Sequence, residues 1–187
     1  YKPNGDLQDP YDILRSLLGE DNAREAQRFF NAYTAFVAQN PGKKTAVDTI
    51  LALLGINLAD GRLDPSDTQA LIDNGILIDR TTGLPRIHTN TLILFAEIIA
   101  FKAKYDAFQD KAKVDRILAL FGIAAGLPLS ADTVRKLADN GVVITETGAP
   151  RDHDKTLVLY REVIHFKDRY DAFQDKAKVD RILALFG

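Results

Sequence analysis

Two copies of the pattern Pro-Arg-x-His-x-x-Thr, at residues 85–91 and 150–156, hold the side chains of this 187-residue sequence that best suit binding chemistry. Arginine and histidine can donate hydrogen bonds to an acidic group or to a glycan. The pattern recurs in what we expect to be a loop, where packing constrains residue types less than in a core. The predicted binding residues are therefore Arg86, His88, Arg151 and His153.

A structural role for the same pattern is the competing interpretation. The side chains of Thr89 and Asp154 can cap the start of a helix, and the arginine and histidine of each copy would then cover the loop. We favour this structural interpretation over ligand binding, because loop residues often serve as caps.

The rest of the sequence offers little catalytic chemistry. It contains no cysteine and none of the glycine-rich phosphate loops, metal-binding helix motifs or nucleophile turns that mark common enzyme classes. Its three histidines, His88, His153 and His165, are too far apart in sequence to suggest a metal cluster. We predict that the protein is not an enzyme and that it has no metal site and no cofactor.

Composition and charge argue against several kinds of partner. The sequence is 46% hydrophobic and 27% charged, which is typical of a globular protein with a substantial core. Its 24 basic and 26 acidic residues give a formal charge of −2 and are interleaved, so no nucleic-acid surface is predicted. The longest apolar run, Leu92–Ala96, is far too short to cross a bilayer.

An internal repeat organises the elements that must position these residues. The segment YDAFQDKAKVDRILALFG occurs at residues 105–122 and again at 170–187. In its second half, apolar residues recur at i, i+3, i+4 and i+7 and a glycine follows, which indicates a short amphipathic helix with a left-handed C-terminal cap. We call such helices the A helices, and the sequence predicts four of them, at 11–19, 47–55, 114–122 and 179–187.

After the second and third A helices the sequence predicts another short helix, the B helix. An aspartate or serine N-cap starts each B helix, and Asp-Asn-Gly ends each one. A short β-branched run and a Thr-Gly turn follow, which favours a small β-ribbon. The B helices begin at Asp64 and Ser130 and end at 73–75 and 139–141, and the ribbon runs are 76–78 and 142–144.

The longest predicted helix, the C helix, begins near Thr89 or Asp154 and ends near Phe108 or Phe173. Its large apolar residues are spaced four, three, four and three apart, which puts them on one seam of a helix. Such a seam is more often core than a lipid pocket. The seam residues are Leu94, Ile98, Phe101, Tyr105 and Phe108 in one copy and Leu159, Val163, Phe166, Tyr170 and Phe173 in the other, and Ala26, Phe29, Tyr33 and Phe36 keep the spacing near the N-terminus.

We predict an all-α fold of tandem three-helix repeats, stacked as a short solenoid or array, with small β-ribbons in the B–C loops. Corners between C and A helices are expected at Gln109-Asp110 and Gln174-Asp175, because the corresponding position near residue 40 carries the helix breakers proline and glycine. The predicted units are an abbreviated N-terminal capping unit at 1–44, full repeats at 45–109 and 110–174, and the A helix of a truncated or grafted further repeat at 175–187.

The repeats differ unevenly along their length. About half of the aligned positions match between residues 71–104 and 137–169, whereas every position of the following segment matches. Two interpretations stay open: a recent exchange of sequence homogenised this segment, or one copy was grafted on as a cap. Because the sequence begins at Tyr1 without a methionine, we also expect a processed or excised chain, of secreted or cell-surface origin.

The predicted function is that of a structural or adhesive repeat segment in an extracellular scaffold, stalk or filament. Its expected partner is another copy, bound head to tail, or another protein, because the last A helix lacks the B and C helices that would cover its outer side. The alternative is a helical carrier that binds a lipid or other apolar ligand between its aromatic seams. The predicted self-association residues are Val179, Ile182, Leu183 and Phe186 at one end and Tyr11, Leu14 and Leu18 at the other.

Overall fold

The computed structural model describes residues 9–187, and within this range the chain forms nine α-helices and no β-strand. The all-α class predicted from the sequence is confirmed. The first eight residues of the predicted unit 1–44 lie outside the described residues. The helices are α1 (Pro10–Leu18), α2 (Glu20–Gln39), α3 (Lys44–Leu53), α4 (Pro65–Asp73), α5 (His88–Ala107), α6 (Lys111–Leu120), α7 (Ala131–Asp139), α8 (His153–Ala172) and α9 (Lys176–Leu183), and a single 3₁₀ turn, Pro41–Lys43, precedes α3.

Helix lengths recur along the chain. The C helices α2, α5 and α8 have 20 residues each, and the B helices α4 and α7 have 9 each. The A helices are α1, α3, α6 and α9, and only Gly19 separates α1 from α2, which leaves no room for a B helix there. Among the described helices, none is both long and apolar enough to cross a lipid bilayer.

Local sequence signals start several of these helices. The Asp9 carboxylate accepts a hydrogen bond from the Tyr11 backbone N–H at 2.8 Å, and proline occupies the first position of α1. The Ser130 hydroxyl caps α7 through the Thr133 N–H at 3.2 Å. The predicted corner at 109–110 is also confirmed, because α5 ends and α6 begins on either side of it.

The predicted caps of the C helices are wrong. Helices α5 and α8 begin at His88 and His153, one residue before Thr89 and Asp154. Asp152 caps α8 instead, through the Lys155 N–H at 3.1 Å. The corresponding residue of α5 is an isoleucine, whose side chain cannot accept a hydrogen bond, so that helix begins without a side-chain cap.

The predicted β-ribbons are also absent from the described residues. Each B–C loop contains one isolated antiparallel bridge, between Ile78 and Pro85 in the first loop and between Ile144 and Pro150 in the second. Proline has no backbone N–H to extend the ladder, and the C helix starts three residues later. Two backbone hydrogen bonds flank each bridge, and the pairing stops there.

Packing of A helices on C helices builds the core. Helix α1 packs on α2, α3 on α5, and α6 on α8, while the C helices contact one another in the order α2, α5, α8. The seam predicted for α5 lies in this core, with Ile98, Phe101 and Tyr105 almost fully buried. The matching side chains of α8 are not buried: Phe101 is 0% exposed and Phe166 is 53% exposed.

Helix α9 shows the same contrast. Its sequence is that of α6, yet Leu118 in α6 is 0% exposed and the matching Leu183 in α9 is 42% exposed. Helix α6 packs closely on α8, whereas within the described residues α9 has no comparably extensive contact with a C helix. Burial of these side chains therefore depends on the next C helix and not on their own sequence.

The core position of α5 generates a testable prediction. Phe101→Ala should lower the free energy of unfolding by about 3–5 kcal/mol, because it empties a fully buried site. The matched change Phe166→Ala should cost less than about 1 kcal/mol, because half of that ring already contacts solvent. Urea denaturation measures both losses, and equal losses at the two positions would contradict the described packing.

Candidate functional site

His88 joins α5 to the preceding C helix, α2. Its Nε2 lies 3.3 Å from Glu25 Oε2, and its ring meets the Phe29 ring edge to face, with centroids 5.5 Å apart and planes at 81°. Both the imidazole and the Glu25 carboxylate are almost fully buried. We call His88, Glu25 and Phe29 the first histidine cluster.

His153 joins α8 to α5 in the same way. Its Nε2 lies 2.8 Å from Glu97 Oε2, and its ring meets the Phe101 ring edge to face at 5.6 Å and 76°. We call His153, Glu97 and Phe101 the second histidine cluster. In both clusters the histidine is the first residue of a C helix, and the glutamate and phenylalanine lie four residues apart on the previous C helix.

Burial controls the charge of the first cluster. It lowers the pKa of His88 below its usual range, although the hydrogen bond and charge of Glu25 act in the opposite direction. The neutral ring can donate its Nε2 proton to the carboxylate, and Arg28 donates to the same carboxylate at 2.7 Å. The Nδ1 atoms of His88 and His153 are buried and have no hydrogen-bond partner.

The arginines of the two motifs contact a different part of the fold. Arg86 Nε donates to the Gly75 carbonyl at 2.8 Å, and Arg151 Nε donates to the Gly141 carbonyl at 2.7 Å. Each arginine thus satisfies a carbonyl just after a B helix, while the histidine of the same motif contacts a C helix. The structure does not bring the predicted arginine and histidine together, and ligand binding by these residues stays a prediction.

Tyrosine and aspartate pairs hold each C helix to the A helix that follows it. Tyr105 Oη donates to Asp115 Oδ1 at 2.6 Å, and Tyr33 donates to Asp48 at the same distance. Desolvation and the nearby carboxylate raise the pKa of Tyr33 to about 12. The same causes raise the pKa of Tyr105, so both phenols are protonated donors at neutral pH.

A groove of about 310 Å³ lies where the end of α4 meets α5 and α7. Its lining includes the cations Arg80, Arg86 and Arg135, but also Asp73 and Asp139. Because both signs of charge line it, the groove does not indicate one class of charged ligand.

Most of the exposed large apolar side chains among the described residues lie on α8, on α9 or just after these helices. Of the predicted self-association residues on this surface, Ile182, Leu183 and Phe186 are exposed, and Val179 is half-buried. Exposed side chains of α8 extend this surface. The sequence interpretation had placed these side chains in a helix seam and not at an interface. We call this surface the C-terminal face. It is defined by Leu159, Val163 and Phe166 on α8, by Phe173 directly after α8, and by Ile182, Leu183 and Phe186 at the end of the chain.

The opposite end is more completely covered than the sequence predicted. Leu14 is only 2% exposed, and Tyr11 and Leu18 are half-buried, because α1 contacts both α2 and α4. The first B helix of the chain, α4, therefore packs on the helix whose residues were predicted to associate with another copy. Leu17, which the sequence interpretation did not include, is the exposed apolar residue of α1.

Sequence reasoning missed the glutamates of both histidine clusters. Glu25 and Glu97 lie 63 and 56 residues from their histidines, so no local pattern pairs them. A weaker signal was available, because a glutamate precedes an aromatic residue by four positions in every C helix. The third such pair is Glu162 and Phe166.

No family model matches this chain, and comparison with curated proteins and with solved structures also finds no match. The class of the protein is therefore defined by its own geometry, as an all-α protein in which three C helices are joined by two histidine clusters.

The buried histidine of the first cluster predicts a pH dependence. Since the folded-state pKa of His88 lies below the unfolded value of about 6.5, the unfolded chain binds the proton more tightly. Stability should be fully present above that value and fall as pH decreases through it. Urea unfolding at about pH 7.5 and about pH 5 should show a larger loss for the wild type than for His88→Gln. An equal or smaller loss would mean that Glu25 dominates over burial.

Removing the tyrosine hydroxyl should cost unequal amounts of stability at Tyr105 and Tyr170, although the two residues lie in identical segments. Tyr105→Phe should cost about 1–3 kcal/mol, because it removes a donor from the partly buried Asp115 carboxylate. Tyr170→Phe removes the corresponding bond to Asp180, 2.5 Å long but exposed, and should cost much less. Chemical denaturation of the two variants tests this order, and the reverse order would refute it.

Proposed function

We propose that this protein is a short array of three-helix repeats that serves as a structural or adhesive segment of a scaffold, stalk or filament and associates through its ends. One observation carries the proposal: α9 has the same sequence as the covered helix α6 but leaves its apolar side chains exposed. A secreted or cell-surface location belongs to the proposal and comes from the sequence interpretation alone.

Recurring contacts support the repeat arrangement. The two histidine clusters use the same residue types, the same Nε2 to carboxylate contact and the same edge-to-face ring geometry. The tyrosine and aspartate pairs also recur at three C–A corners. In a repeat array each unit contacts mainly its neighbours, so equivalent interfaces are expected at each step.

The C-terminal face supports a role in association. Seven large apolar side chains define it, five of them on α8 and α9 and two just after these helices. Large exposed apolar surfaces are uncommon on monomers and usually mark an interface. A head-to-tail contact would place this face against the first helices of another copy, where Leu17 is exposed.

The carrier function receives less support from the described residues. A carrier would have to open the aromatic seam of α5 around a ligand, yet Phe101 and Tyr105 fill the core and contact His153 and Asp115. The scaffold is therefore the function that we propose, and the carrier stays an untested alternative.

The proposal predicts association that depends on the C-terminal face. Sedimentation velocity over a wide concentration range should show species larger than the monomer, and Phe186→Asp should shift the distribution to the monomer by placing a charge in the interface. Leu120→Asp is the control, because Leu120 is similarly exposed but is not one of the residues that define this face. Monomers at every concentration, or equal effects of the two variants, would disprove association through this face.

A further inference from the structure

Helix α8 carries the glutamate and phenylalanine of a histidine cluster, but no histidine of the described residues is packed against them. In both histidine clusters a glutamate and a phenylalanine four residues apart receive the histidine that begins the next C helix. Helix α8 has the same pair at the same spacing, Glu162 and Phe166. Both side chains are exposed, and within residues 9–187 the only polar contact of Glu162 is an ion pair with the neighbouring Arg161 at 2.8 Å.

Helix α9 presents the second half of the same surface. In α6 the side chains Val114, Ile117 and Leu118 are buried, and α6 packs mainly on α8. Helix α9 carries the same residue types at the same positions, so its apolar face has the shape and chemistry that α6 uses to receive a C helix. Glu162 and Phe166 on α8 would then lie beside the start of that helix, as Glu97 and Phe101 lie beside the start of α8.

We infer that the C-terminal face is a docking surface for a helical segment of the same kind as residues 123–172. The C helix of that segment would pack on α9. The histidine of the Pro-Arg-x-His motif at the start of this C helix would contact Glu162 and Phe166. This inference rests on the repeat arrangement in the proposed function and adds the chemistry of the docking segment. The occupant is thus a polypeptide segment defined by a histidine at the start of a C helix.

A second copy of this chain offers no free histidine at the start of a C helix, so it would bind the apolar face without the contact to Glu162. His88 and His153 of any copy are already buried in their own clusters. The first C helix, α2, has no histidine at its start. When Glu25 is aligned with Glu97, the position that matches His88 is Ser16, which lies in α1. The third histidine, His165, lies in the middle of α8, where no helix start is available.

Thiol labelling can test the inference one site at a time, because the chain contains no cysteine. Leu183→Cys places a thiol on the C-terminal face, and Leu118→Cys places one at the matching buried position of α6. In the chain of 187 residues, the first thiol should react with a maleimide at least about 100-fold faster than the second, which reacts only through local opening. Both rates should be measured at low protein concentration, where association between copies is negligible.

The decisive comparison adds the proposed occupant. A copy of residues 123–187 joined after Gly187 continues the chain as residues 123–187 continue it after Gly122, because the preceding segments are identical. In this extended chain the Leu183→Cys labelling rate should fall about tenfold or more. Far-ultraviolet circular dichroism should show the added residues as helical. An unchanged labelling rate, or an added segment that stays unfolded, would overturn the inference.

A separate variant tests the contact between the added histidine and Glu162. In the extended chain, Glu162→Ala should raise the labelling rate of Leu183→Cys roughly tenfold, because it removes the hydrogen bond between Glu162 and the added histidine. In the chain of 187 residues the same substitution should leave the rate unchanged. Protection that is insensitive to Glu162→Ala would show general apolar covering and would reject the docking joint.

The labelling and sedimentation experiments separate the two proposals. If the extended chain is protected through Glu162 while the chain of 187 residues stays monomeric, the docking surface is supported and self-association fails. If the chain of 187 residues self-associates while the extended chain shows no protection at Leu183→Cys, the docking inference fails and the proposed association is retained.

Discussion

An amphipathic helix of about ten residues gains most of its stability from another element that covers its apolar face, because helices this short are marginal in water on their own. The A helices differ in how much of this cover they have. Helices α6 and α9 have the same sequence, and within the described residues they differ in how extensively a C helix packs on them. The order of the helices follows from this requirement, since each covered A helix packs on the C helix that comes after it.

Polar contacts set the register of this apolar packing. The histidine clusters fix where one C helix meets the next, and the tyrosine and aspartate pairs fix the angle at which the chain turns into the next A helix. A buried polar pair adds little net stability over well-packed apolar groups, but a broken pair is costly. Such pairs therefore favour one register between helices. Apolar contacts alone would permit the helices to slide along each other.

The location of the titratable groups also explains why association is the function that we propose. The histidines that looked available for ligand binding lie between helices, with each ring in contact with a carboxylate and a phenylalanine. The arginines of the same motifs satisfy carbonyls after the B helices while part of each side chain stays at the surface. What remains accessible on a large scale is the apolar C-terminal face.

The sequence by itself determined the helices, because helix periodicity, N-caps and glycine stops act within a few residues of one another. The A helices, the B helices ending at Asp-Asn-Gly and the corner at 109–110 were all predicted within a few residues of their observed positions. The sequence-based prediction was wrong about the β-ribbons, where proline limits the pairing to one bridge, and about the caps Thr89 and Asp154. In those loops several local preferences compete within a few residues.

Only the tertiary structure decided the roles of the remaining residues. Glu25 and Glu97 become partners of histidines more than fifty residues away, and the burial of Phe101 but not Phe166 depends on what packs outside each helix. The two identical segments are the clearest case. A sequence states which side chains can be buried together, but a side chain leaves water only when a second element arrives to cover it, and that element lies elsewhere in the chain.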